Sequence, residues 1–141
     1  MQTIQPSKLL KIALLADAAA TGATAAIQLV GGQFLSQHLA LPSQLLTGTG
    51  WFMAAYAAAL VILANSQSVW KALVYFIVFG NVAWAAITLD IVVTDMVAPN
   101  GLGVAYLALL SLAVLGFAAL EFAGLKASSG DVPLRSSHAV Q

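Results

Sequence analysis

The chain has 141 residues, of which 61% are hydrophobic and 7% charged, with five Lys/Arg against five Asp/Glu for a formal net charge of zero. A soluble domain carries about 25% charged residues, and with so few charges its surface would present large apolar patches to water. A mean hydropathy of +0.95 therefore excludes a soluble globular domain and a disordered chain, and the lack of a basic surplus excludes a nucleic-acid binder.

A hydrocarbon core about 30 Å thick asks for roughly 20 apolar residues per helix. Four segments approach that length, at about 8–30, 50–65, 69–97 and 102–125. The first begins with Lys8 and Lys11. Its Ala23-Thr24-Ala25 resembles a signal-peptidase site, but Asp17 interrupts the apolar run and the run is long for a leader, so the segment is expected to be retained as a helix. Asp17, Thr21, Thr24 and Gln28 recur at i, i+4, i+7 and i+11, one polar stripe at 3.6 residues per turn. Beside it Ala18, Gly22 and Ala26 form a small-residue ridge that lets another helix approach.

Residues 31–48 read as a long, half-apolar outer loop broken at Pro42 and lying in the interface. The second segment is the shortest, about 16 residues or 24 Å. Asn65 to Ser68 is a polar turn. The third segment carries a second stripe, Asn81, Trp84, Thr88 and Asp95. Asn81 lies ten residues beyond Lys71, about 15 Å along the helix and close to mid-depth. Pro99-Asn100-Gly101 is a tight turn, with Asn100 as N-cap of the fourth segment. Trp51 and Trp70 fall near the expected helix ends, as interface-anchoring aromatics do. The domain is thus 1–126, followed by a polar cytoplasmic tail at 127–141.

Lys8, Lys11, Lys71, Lys126 and Arg135 all fall on one side of this arrangement. The positive-inside rule assigns that side to the cytoplasm. The expected fold is all-α, a membrane-spanning four-helix bundle with both termini inside, in a bacterial inner membrane.

Chemistry-bearing motifs are few. Without cysteine there are no disulfides, thiolate metal sites or cysteine nucleophiles. His38 and His138 lie outside the spans, so neither a bis-histidine haem nor a zinc site has its ligands. No phosphate-cradling loop, zinc-protease motif or nucleophile elbow is present. No cofactor, no metal and no enzymatic activity are expected.

The embedded acids remain. Asp17 lies about 9 Å beyond Lys11, and Glu121 about 7.5 Å before Lys126, so both sit at similar depth. A mid-membrane carboxylate costs about 2.5–3.5 kcal/mol. If the first and fourth helices are neighbours, the two acids meet, and one of them holds a proton because two adjacent carboxylates do not both ionise cheaply. The alternative pairs Glu121 with Lys126 or Lys11, and Asp17 with Lys11 or a threonine. The stripe residues Thr21, Thr24 and Gln28, with Asn81 and Trp84, either line a proton or substrate site with Asp17 and Glu121 or hold the helices together. Asp90 and Asp95 fall near the outer boundary, where Gln28 would reach Asp90 and His38 either acid.

Gly80-Asn81-Val82-Ala83-Trp84, the Lys/Asp-bearing first helix, Leu41-Pro42, Gly50-x-Phe52 and Glu121-Phe122 together resemble a family of small uncharacterised bacterial four-helix integral membrane proteins, over most of residues 8–126. That family implies the bundle but no established activity. The architecture is also similar to small multidrug resistance transporters, whose first-helix acid is a shared proton and substrate site. Asp17 is the corresponding residue here, in a local sequence that departs from that family's pattern and with a charge bias unlike their frequent dual topology. Two functions follow as expectations: a non-enzymatic accessory or interaction subunit, or a small proton- or cation-coupled carrier. The expected partners are the lipid bilayer and either copies of this chain or other membrane subunits.

Overall fold

The structure, a computed structural model, describes residues 2–94 and 96–130. Most of the expected tail, with Asp131, Arg135 and His138, lies outside the described residues, as does Asp95. The elements in order are β1 (Thr3–Gln5), α1 (Lys8–Leu39), α2 (Ser43–Asn65), β2 (Val69–Trp70), α3 (Lys71–Val93), α4 (Gly101–Lys126) and β3 (Ser129–Gly130). The protein is all-α in class, with four helices each long and apolar enough to cross a membrane.

The expected 31–48 loop is helix over most of its length. α1 runs 32 residues, about 48 Å at 1.5 Å per residue, and turns only at Ala40, whose φ of 53° places it in the left-handed region. Gly31-Gly32 does not break it, because Gly32 is buried and a Cβ there would meet Thr47 of α2 at 3.9 Å. The helix continues where packing against α2 outweighs glycine's low propensity. α2 then starts at Ser43, directly after Pro42, and its 23 residues span about 35 Å rather than 24 Å. Trp51 therefore sits inside α2 and not at its end. α3 is shorter than 69–97, because residues 69–70 are strand. α4 begins where the turn predicts: Asn100 Oδ1 accepts from the Gly103 amide at 2.9 Å.

α1 packs against both α2 and α4, and α3 against α4. The small-residue ridge is used in part. Ala18 is buried and a Cβ on Gly22 would meet Ala57 of α2 at 3.6 Å, whereas Ala26 is exposed. Between α1 and α4 the close approach depends on Gly124, where a Cβ would stand 2.6 Å from the Leu10 backbone. α2 and α3 do not pack backbone to backbone, and side chains bridge the space between them.

The ends are tied differently. At the end bearing Lys8, Lys71 and Lys126, a three-stranded sheet of order β2-β1-β3 closes the bundle, with Ile4 paired to Val69 on one side and Gly130 on the other. Ser7 caps α1 through the Leu10 amide at 3.1 Å and donates its hydroxyl to the Gly124 carbonyl at 2.7 Å. At the opposite end Asn100 joins the α3–α4 turn to α1: its side-chain amide donates to the His38 carbonyl at 2.7 Å and its backbone amide to the Leu39 carbonyl at 3.2 Å. Two apolar clusters lie within, one around Leu10, Leu14, Leu60 and Val74, the other around Leu39, Leu41, Leu46 and Leu107. Large apolar side chains cover the outer faces, including Val30, Phe76 and Phe79.

Candidate functional site

Three helices carry one polar residue each to a common point between the two apolar clusters. Asp17 of α1 and Glu121 of α4 are both 0% exposed, and Asn81 of α3 is buried between them. The Asn81 side-chain amide donates to Asp17 Oδ2 at 3.0 Å and to Glu121 Oε2 at 3.1 Å. One nitrogen thus bridges both carboxyl groups, so the two bonded oxygens stand no more than about 6 Å apart. The acids meet because α1 and α4 are neighbours that run in opposite directions and because Gly124 lets them close.

The rest of the network is neutral. Thr21, one turn along α1, donates to Asp17 Oδ1 at 2.8 Å. The Tyr56 hydroxyl of α2 donates to Asn81 Oδ1 at 2.9 Å. Both oxygens of Asp17 are therefore accepting, every polar group of the Asn81 amide is used, and Glu121 Oε1 is buried with no partner. Lysine takes no part. Lys126 lies over the Phe122 ring at 4.6 Å, so of the alternative pairings only that of Asp17 with a threonine, Thr21, is made, and the donors of the cluster are Thr21 and Asn81. The reason is depth: Asp17 and Glu121 are sealed in the bundle, while Lys8 and Lys126 are exposed at its end.

Thr21, Tyr56 and Asn81 of the cluster line a cleft between α2 and α3, while Asp17 and Glu121 do not line it. This cleft holds about 370 Å³ and is lined by Thr21, Tyr56 and Asn81 at its polar end and by Phe52, Phe76, Trp84 and Ile87 elsewhere. It exists because α2 and α3 are held apart by aromatic side chains. Phe52 stacks on Trp84 with centroids 5.4 Å apart and on Tyr56 at 6.3 Å. Phe52, Phe76 and Ile87 are exposed on the outside of the bundle, so the opening is lateral.

The predicted stripe on α1 divides. Asp17 and Thr21 join the cluster. Thr24 is only half-buried and donates back to the Ala20 carbonyl at 2.8 Å. Gln28 belongs to a second, smaller group toward the other end, where it accepts from Thr49 at 3.0 Å and donates to the Tyr106 hydroxyl at 2.9 Å. Its amide is thereby used, and the expected Gln28–Asp90 contact is not made. His38 turns to the Phe34 carbonyl at 2.8 Å and stacks on the Phe34 ring rather than meeting Asp90. On α3, Asn81 joins the cluster and Trp84 lines its cleft, while Thr88 donates to the Trp84 carbonyl. Tyr56 and Phe52 are the site residues that sequence reasoning missed. A tyrosine in the middle of an apolar segment was the available signal, since its hydroxyl needs a partner when buried.

No group of three or more metal-ligating side chains occurs among the described residues. No family model, curated protein or solved structure matches the chain.

Proposed function

We propose that the protein is a small carrier of the bacterial inner membrane, with both termini cytoplasmic, in which Asp17 and Glu121 share one proton and exchange it for a cationic substrate. The observation that carries this reading is the pair of fully buried carboxyl groups bridged by Asn81, with no lysine partner, where Asn81 and Thr21, which bond to them, line a lateral cleft. Membrane location is supported by the four long apolar helices, and the orientation by the lysines gathered at one end. It also accords with the resemblance to small bacterial four-helix membrane proteins.

Two ionised carboxylates this close and this dry would repel each other and lack solvation. One proton relieves both costs. The hydrogen-bond inventory favours Glu121 as its carrier: Asp17 accepts from Thr21 and Asn81, whereas Glu121 accepts from Asn81 alone and makes a side-chain hydrogen bond with Asp17. A proton on Glu121 donated toward Asp17 leaves the cluster with one negative charge. A cation with an apolar body, entering past Phe52 and Trp84, would find aromatic faces first and the acidic pair behind Asn81. Its arrival makes the second ionisation affordable, and the proton leaves. Thr21 and Tyr56 hold the acid pair and the bridging amide in register throughout.

Two measurements test this. Infrared difference spectra at neutral pH should show a protonated-carboxyl band that disappears in Glu121→Gln. Proteoliposomes filled with a pH-sensitive dye should report proton movement driven by a tetraphenylphosphonium gradient, lost in Asp17→Asn. A wild-type protein with no protonated-carboxyl band, or full proton movement in Asp17→Asn, would overturn the assignment.

The accessory-subunit reading is favoured by a different observation. The Thr21–Asp17–Asn81–Tyr56 chain ties α1, α2 and α3 together, as interhelical polar contacts do in structural bundles. On that reading the substitutions lower stability without any proton signal, and crosslinking in membranes finds a second subunit. Detection of isolated monomers alone argues against it.

A further inference from the structure

A second cavity lies at the other functional extreme of the molecule, under the small sheet. It holds about 590 Å³ between β1, β3, the start of α3 and the end of α4. Lys71, Lys126, Gln2, Thr3 and Ser128 are in its polar lining, and Ile4, Tyr75 and Leu125 in its apolar lining. Three features favour an anion there. Both lysines line one cavity, and no carboxylate lines it among the described residues. The N-terminus of α3, with its partial positive charge, lies at Lys71 beside the cavity; no side chain caps it, and its first amide donates to the Gln2 carbonyl at 3.0 Å. The wider field has the same sign: Lys8 and Lys11 belong to this end, and of the described carboxylates Asp17 and Glu121 are sealed inside the bundle and Asp90 lies near the far end of α3.

The cavity also has the right flanks for a lipid. Tyr75 and Phe122 pack at 6.5 Å beside it, Trp70 is exposed immediately before Lys71, and Phe76 and Phe79 are exposed further along α3. A phosphate held by Lys71 and Lys126 would leave its acyl chains along this apolar face, with aromatic rings at headgroup level.

We infer that this cavity is a binding site for the phosphate of an anionic phospholipid, held by Lys71 and Lys126 at the cytoplasmic leaflet. The inference rests on the membrane part of the reading above and not on the carrier part.

The test uses the full chain in nanodiscs, with Trp51→Phe and Trp84→Phe leaving Trp70 as the sole reporter. Brominated phosphatidylglycerol should quench Trp70 more strongly than brominated phosphatidylcholine at equal mole fraction. Any lysine near an anionic surface contributes roughly fivefold to lipid affinity, and direct contact with the phosphate adds to that, so Lys71→Gln and Lys126→Gln should each reduce the preference by more than about fivefold. Lys8→Gln, outside the cavity, loses only the surface contribution and should reduce it less. Circular dichroism checks that each variant keeps its helices. Loss of preference in Lys8→Gln equal to that in Lys71→Gln would reduce the effect to a general field and overturn the site. Displacement of the quenching lipid by millimolar glycerol phosphate would make the ligand a soluble phosphate ester and overturn the lipid assignment. Incorporation into nanodiscs is scored separately: failure there overturns the membrane reading, while incorporation without lipid preference overturns only this site.

Discussion

Asn81→Ala should destabilise the bundle by about 3 kcal/mol. The substitution removes the donor to Asp17 Oδ2 and Glu121 Oε2 and the acceptor for Tyr56. Tyr56 is half-buried beside the cleft and can turn its hydroxyl toward it. The two acids are 0% exposed and each loses its Asn81 donor. Leaving one buried polar group unpaired costs roughly 1–3 kcal/mol. Interhelical bonds measured in bilayers average only about 0.6 kcal/mol, because the unfolded chain in lipid also finds partners. Two lost bonds therefore bracket the effect between about 1 and 6 kcal/mol, with the low-dielectric site favouring the middle of that range. Equilibrium unfolding in mixed dodecyl maltoside and dodecyl sulfate micelles, followed by ellipticity, measures it. Val82→Ala is the internal control, since Val82 is the next residue but faces outward at 44% exposure, and its change should stay within about 0.5 kcal/mol. An Asn81→Ala protein within 0.5 kcal/mol of wild type would refute the view that this amide joins α1, α3 and α4.

Three further outcomes are checked by the same unfolding measurement. Gly124→Ala should cost about 1–3 kcal/mol, because its Cβ would overlap the Leu10 backbone and push α1 from α4, whereas Gly116→Ala, with nothing within 4 Å, should be neutral or slightly stabilising. Ala40→Gly should stabilise by about 1 kcal/mol, since Ala40 occupies the left-handed region that glycine enters without penalty. Ser7→Ala should cost about 1 kcal/mol by removing the cap of α1 together with its bond to Gly124.

The four apolar segments were legible because their signal is local: a run of apolar residues long enough to cross a bilayer shows in composition alone. Their limits were less legible. Gly31-Gly32 and the polar SQLLTGT stretch read as loop, yet both are helical, since α1 and α2 pack against each other there and tertiary contact overrides propensity. The sheet at the lysine end was invisible, because strands of two or three residues carry no periodicity. Of the site, depth counted along each helix placed Asp17 and Glu121 at one level, and put Asn81 nearer mid-depth, so its bridge between them was not legible. That Thr21 belongs with them and Thr24 and Gln28 do not depends on which neighbour each helix face meets.

The amino-acid sequence by itself determined the all-α class, the four long apolar helices, the gathering of lysines toward one end and the shortage of polar groups inside. These follow from residue type and order along one chain. Which polar groups meet was decided only by the tertiary structure. α1 and α4 are brought together at Gly124, Asn81 reaches both acids at 3.0 and 3.1 Å, and the aromatic stack of Phe52 on Trp84 keeps α2 from closing on α3. A bond between helices depends on their separation and rotation, and those are set by the packing of all four at once.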